Sequence, residues 1–112
     1  MTEKKAKKIL IESGWISNYY YVVKVMQSCA NKNSNLNPML RNISLHKAFW
    51  WGKKLLKDSI DNIISKHNSL AIPINEIYKE YESSLWSEMN KVEDKIGILL
   101  AEEIETNSKK EQ

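Results

Sequence analysis

The chain has 112 residues, a formal net charge of +3, 42% hydrophobic and 28% charged residues, and only three glycines and two prolines. That length suits one soluble domain with a modest core, and the shortage of turn-forming residues excludes an all-β fold with many tight turns. The charge is unevenly placed: residues 1–57 carry eleven bases against two acids, and residues 58–112 carry twelve acids against six lysines.

In chain order, the apolar spacing predicts a first helix from about Glu3 to Ala30. Ile11, Trp15, Tyr19, Val22, Met26 and Cys29 form its main row, with Ile9, Ile16, Val23 and Ala30 beside it. Gly14 interrupts this pattern as a kink, or as a true start at Ser13. Tyr19 and Tyr20 fall toward the apolar side, which leaves Tyr21 outward near Lys24. Asn31 to Asn37 reads as a polar loop. Asn37-Pro38 then has the form of an N-cap followed by proline at the first helical position, with a short turn expected over Pro38–Asn42.

A second long helix is expected from Ser44 to about Lys66, with Leu45, Phe49, Gly52, Leu56, Ser59 and Ile63 as its core row. Ser69 to Ile74 reads as an extended connector, because a residue before proline avoids the α region. Asn75 is then expected to cap a third helix reaching about Glu105, with Tyr78, Tyr81, Leu85, Met89, Val92, Ile96 and Leu99 inward. The fold class is all-α: a compact bundle of three long helices with a short fourth helical turn. It forms one domain over residues 1–106, and residues 107–112 read as a disordered tail.

The second helix carries the sharpest local pattern. His46, Trp50, Lys53, Lys54 and Lys57 share one face, opposite the Leu45–Phe49–Leu56–Ile63 row. Between Ser13 and Lys57 there is no acid at all. Adjacent Trp50 and Trp51 diverge by about 100° and cannot both centre on one core. Lysines neutralising phosphates beside a ring that stacks on a base is the logic of single-strand binding. The candidate binding residues are therefore Arg41, Lys47, Trp50, Lys53, Lys54 and Lys57. The same face also suits a protein interface, with the acidic third helix of a neighbour as its complement.

Arg41-Asn42-Ile43-Ser44-Leu45-His46 reads R-N-x-x-x-H. It resembles the R-x4-6-H motif of the HEPN ribonucleases, in which arginine and histidine from two protomers or domains meet in one cleft. The resemblance implies metal-independent attack of a ribose 2′-hydroxyl on the adjacent phosphate, with His46 moving the proton and Arg41 holding phosphate oxygens. In size and architecture alone, the chain also looks like the small helical subunits of CRISPR effector complexes.

Two histidines and one cysteine at unrelated spacings supply no metal-ligand set, and no glycine-rich phosphate loop is present, so no cofactor is expected. A single cysteine excludes an intrachain disulfide. The longest apolar run, Tyr19 to Met26, is broken by Lys24 and is too short to span a bilayer. The setting that fits is cytoplasmic. The expected function is a non-enzymatic module contacting RNA or single-stranded DNA as an oligomer or complex subunit. A helical inhibitor or adaptor that binds a protein is the alternative, and a HEPN-like ribonuclease using Arg41 and His46 is a third.

Overall fold

Gly14 decides the course of the N-terminal part of the chain. In a computed structural model, which describes residues 2–31 and 37–110 and their side chains as far as Glu105, Gly14 has φ +82° and ψ 6°. This left-handed conformation is open to glycine and strained for residues with a Cβ. It ends α1 (Thr2–Glu12) and starts α2 (Trp15–Ser28). The Ser13 N–H donates to the Ile9 carbonyl at 2.9 Å, and the Asn18 N–H takes the Gly14 carbonyl at 3.0 Å. The single first helix expected from Glu3 to Ala30 is thus two helices. Ile11 is 63% exposed, because the break lets Ala6 and Leu10 face inward instead. Tyr20, expected on the apolar side, is exposed as well.

The described chain is all-α, with four α-helices rather than three and no strand among the described residues. α3 (Pro38–Lys66) starts where Asn37 accepts the Leu40 N–H on its side-chain oxygen at 2.9 Å, with Pro38 at the first position. The cap is as the sequence predicts, but the helix does not stop at Asn42 and restart at Ser44. No residue between them lacks a backbone donor or requires a positive φ, so the turn and the second helix are one element of 29 residues. Residues 32–36 of the Asn-rich loop, Lys32 included, lie outside the described residues.

α3 closes at His67, whose N–H is shared by the Ile63 and Ile64 carbonyls at 3.0 Å each. One 3-10 turn, Asn68–Leu70, leads directly into α4 (Ala71–Lys110). The extended connector and the cap at Asn75 are therefore absent. Pro73 falls in the first turn of α4, where its missing N–H would have had no intrahelical partner. Starting five residues early buries Ile74 completely and Ile77 nearly so. α4 also runs past the expected end near Glu105. The tail expected at 107–112 falls where side chains, and then residues 111–112 altogether, lie outside the described residues.

α4 packs antiparallel to α3 and parallel to α2. Lys53 faces Glu82 and His46 faces Glu93 along the first pair, while Tyr19 meets Tyr81 and Gln27 meets Glu88 along the second. α1 packs against α4 and α2. The result is an elongated body of 67 × 20 × 17 Å. At its centre Trp15, 1% exposed, donates its indole N–H to the Leu56 carbonyl at 3.0 Å. Tyr19, Tyr78 and Tyr81 surround its ring at centroid distances of 6.4, 6.2 and 5.3 Å. Gly52 lets α2 approach α3: a Cβ there would collide with the Val22 side chain. Among the described residues, no helix is long and apolar enough to cross a membrane.

Two glycines in helix interiors should respond oppositely to the same substitution. Gly52→Ala meets Val22 and is expected to lower stability by about 1–3 kcal/mol, the usual cost of overpacking. Gly97→Ala has open space around it and is expected to raise stability by up to about 1 kcal/mol through helix propensity. Urea unfolding followed by circular dichroism measures both. A Gly52→Ala protein as stable as the parent would refute the close approach.

Candidate nucleic-acid interface on the third helix

The rotation of α3 is set by what it buries: Leu45, Phe49, Gly52, Leu56, Ile60 and Ile63 face the other helices. Arg41 lies on this same inward row and is only 7% exposed. It belongs to the packed face and does not extend the lysine patch. At the opposite pole stand Lys47 and Lys54, two turns apart and exposed. Trp50 and Trp51 lie between them, each three or four residues from both lysines. At those spacings helix neighbours have Cβ atoms about 5–6 Å apart.

Both tryptophans reach solvent, Trp50 at 56% and Trp51 at 47%. Each nevertheless packs against neighbouring rings. Trp50 meets Phe49 at 5.5 Å and Trp86 of α4 at 6.2 Å, both edge-on. Trp51 meets Tyr21 of α2 at 6.4 Å, also edge-on. Tyr21 is itself exposed, as its sequence position implies, and Lys24 on the next turn of α2 is exposed too.

The remaining lysines of the expected patch are engaged within the chain. Lys53 pairs with Glu82 at 3.4 Å, and its ammonium lies over the Trp50 ring at 5.0 Å and the Trp86 ring at 5.1 Å. Lys57 pairs with Asp61 at 3.4 Å and lies over the Tyr78 ring at 5.2 Å. Lys47 and Lys54 make no ion pair or ring contact among the described residues. The structure thus divides the six sequence-selected residues into one buried arginine, two lysines with partners, and an exposed set of Lys47, Trp50 and Lys54. Trp51 completes that set. Its spacing to Lys47 and Lys54 is visible in the sequence, but the single face drawn through His46 and Lys57 passes it by.

Two grooves meet at Trp50. One, of about 470 Å³, runs between α3 and α4 and takes Lys53, Lys54 and Lys57 from the first helix. Its α4 wall is Asn75, Tyr78, Lys79 and Glu82, none of which sequence spacing along α3 could reveal. The other, of about 480 Å³, is lined by Asn42, Ile43, His46, Lys47 and the same Trp50.

Arg41 and His46 do not come together. Five residues along one helix place them roughly 140° apart. Arg41 turns into the bundle, while His46 turns to α4 with its Nε2 3.6 Å from Glu93. Cys29 donates its thiol to the Val25 carbonyl at 3.5 Å, and burial raises its pKa, so it lacks the low-pKa setting of a nucleophile. Among the described residues no three of His, Cys, Asp and Glu gather as a metal ion would require. No known family, curated protein or solved structure matches the chain.

Tyr78 connects this surface to the core. Its hydroxyl pKa is pushed up from 10.0 to about 12, first by burial, then by the Glu82 carboxylate through charge and hydrogen bonding, and by Asp61. Burial also raises Tyr19 and Tyr81. The neutral phenol is the form the fold favours, so this stabilisation is complete below the unfolded value of 10.0 and is lost as pH rises toward about 12. In an alkaline titration, phenolate absorbance from the buried tyrosines should appear together with loss of helical circular dichroism. Ionisation of Tyr19, Tyr78 and Tyr81 near pH 10 with helicity intact would contradict the packing around Trp15.

Proposed function

We propose that this chain is a non-enzymatic module that binds single-stranded RNA or DNA along the outer face of α3, as a subunit of a nucleoprotein assembly. One observation carries the reading: two adjacent, half-exposed tryptophans lie between two exposed lysines that make no ion pair among the described residues. Keeping two indole rings at the surface is unfavourable unless something covers them. A base stacked on such a ring gains about 1–3 kcal/mol whatever its identity. Ammonium groups at both ends of the pair can neutralise successive phosphates and release their counterions. Tyr21 and Lys24 continue the same chemistry onto α2.

A protein contact at one end of the body fits the same assembly. Met39 and Ile43 of α3 and Ile98 and Leu100 of α4 are exposed. All but Ile43 line a groove that also contains Glu93 and Asp94. This apolar, acid-edged surface is suited to a neighbouring subunit rather than to a strand, and it is what favours the adaptor reading as a second role. The ribonuclease reading has no such support, because Arg41 is only 7% exposed and turned into its own bundle, away from a cleft that a second protomer could share.

Fluorescence anisotropy with labelled oligouridylate and oligothymidylate over a range of salt concentrations tests the proposal. Lys47→Ala/Lys54→Ala should weaken binding and lower the salt slope by about 1.4, near 0.7 for each phosphate of a single strand that is no longer neutralised. Trp50→Ala should cost about 1–3 kcal/mol, roughly 5- to 150-fold in Kd. Lys53→Ala/Lys57→Ala, which removes lysines already paired within the chain, should leave the salt slope near that of the parent. Parent-like binding by the Lys47/Lys54 variant would remove this face from consideration. No binding at low salt, with stoichiometric recovery of one protein partner, would leave the adaptor role alone.

A further inference from the structure

We infer that the groove between α3 and α4 is a seat for a nucleotide phosphomonoester, its base against Trp50 and its phosphate between Lys54 and Lys79. This rests on the strand-binding reading of α3 and extends it from the helix surface into the adjoining groove. The groove's volume of about 470 Å³ lies within the range of about 300–1,000 Å³ typical of small-molecule sites.

Charge selects the ligand's sign. Lys53, Lys54 and Lys57 of α3 converge with Lys79 of α4 on one groove, against a single lining carboxylate, Glu82. Lys53 takes that carboxylate at 3.4 Å, and Asp61 offsets Lys57 from outside the lining. Lys54 and Lys79 are left with no ion pair among the described residues. Facing ammonium groups repel one another, and a bound anion relieves that repulsion. An internal phosphodiester brings one negative charge, whereas a phosphomonoester brings roughly 1.5–2 at neutral pH, which matches two lysines without an ion pair in the groove.

The other walls select more than an anion. Trp50 offers an exposed ring of the kind that stacks on a base. Asn75, one turn before Lys79 on α4, has an amide that both donates and accepts and can meet a base edge or a ribose hydroxyl. Trp50 belongs both to this groove and to the strand-binding face. A phosphorylated strand end and a free mononucleotide therefore present the same chemistry here.

Calorimetry with uridine monophosphate, uridine and inorganic phosphate forms one arm of the test, and oligouridylates with and without a terminal phosphate form the other. The protein should bind uridine monophosphate more tightly than either of its parts. A terminal phosphate should strengthen oligonucleotide binding by about tenfold, as a charge-assisted contact does. Lys79→Ala, at an exposed position away from the outer face of α3, should abolish both preferences, Lys79→Arg should restore them, and the affinity for the unphosphorylated strand should not change. Preference for the phosphorylated strand without binding of the free nucleotide identifies a strand end as the ligand, and the converse identifies a mononucleotide. Uridine monophosphate binding no better than inorganic phosphate, together with equal affinity for the two strands, overturns the groove and leaves strand binding standing. Failure of both strands while uridine monophosphate still binds overturns the strand reading and keeps the groove.

Discussion

The burial of Trp15 is the constraint on which the remaining geometry depends. A tryptophan of this kind removes roughly 150–250 Å² from water, about 4–6 kcal/mol at 25 cal/mol per Å². Burial on that scale requires a partner for the indole N–H, which the Leu56 carbonyl of α3 supplies. The ring reaches that carbonyl because the left-handed turn at Gly14 redirects the chain immediately before it. Tyr19 from α2 and Tyr78 and Tyr81 from α4 then complete the enclosure, so one side chain registers three helices at once. With Leu56 turned to Trp15 and Gly52 turned to Val22, α3 has no rotational freedom left. Lys47, Trp50, Trp51 and Lys54 face outward as a consequence.

Electrostatics modifies this surface more than it builds it. Partly exposed ion pairs such as Lys53–Glu82 and Lys57–Asp61 contribute about 0.2–1 kcal/mol each, little beside the aromatic core. Their larger effect is subtraction. The acid-free span from Ser13 to Lys57 is strongly basic as a sequence, yet once α4 folds back along α3 part of that charge is answered from within. Around the two grooves, Lys47 and Lys54 on the pole of α3 and Lys79 of α4 are the lysines left without an ion pair among the described residues. A surface read from linear charge would be broader and less defined than the folded one.

Periodicity made the helical core legible. The rows through Val22 and Met26, through Leu45, Phe49 and Leu56, and through Leu85, Met89 and Val92 are buried where spacing places them. The Asn37-Pro38 cap was equally readable, because its chemistry is local. Boundaries failed where a local signal had two structural uses. Pro73 marks the end of a connector in one reading and tolerates a first helical turn in the other; burying Ile74 and Ile77 selects the second. Ser44 can cap a helix or ride within one, and nothing before it forces a break. Arg41 misled for a related reason. Its charge suggests solvent, but its position is in register with Leu45 and Phe49, and packing decided. Asn75 and Lys79 could not be attached to the site at all, because which residues of α4 oppose Lys54 is a property of antiparallel pairing and not of either helix alone.

The aromatic face of α3 is also a case of preorganisation. Exposed side chains ordinarily lose rotamer freedom on binding, at about 0.5–1.5 kcal/mol for each one immobilised. Trp50 is held by near-perpendicular contacts with Phe49 and Trp86 and by the Lys53 ammonium over its ring, while Tyr21 braces Trp51. These contacts restrict both rings before any ligand arrives, and roughly half of each remains open. The same bracing explains why Lys53, although charged and central in the sequence pattern, serves the site best as a support. Its ammonium, held between Trp50, Trp86 and Glu82, steadies the wall shared by the two grooves, and under the proposed function phosphate contact falls to the lysines without such partners.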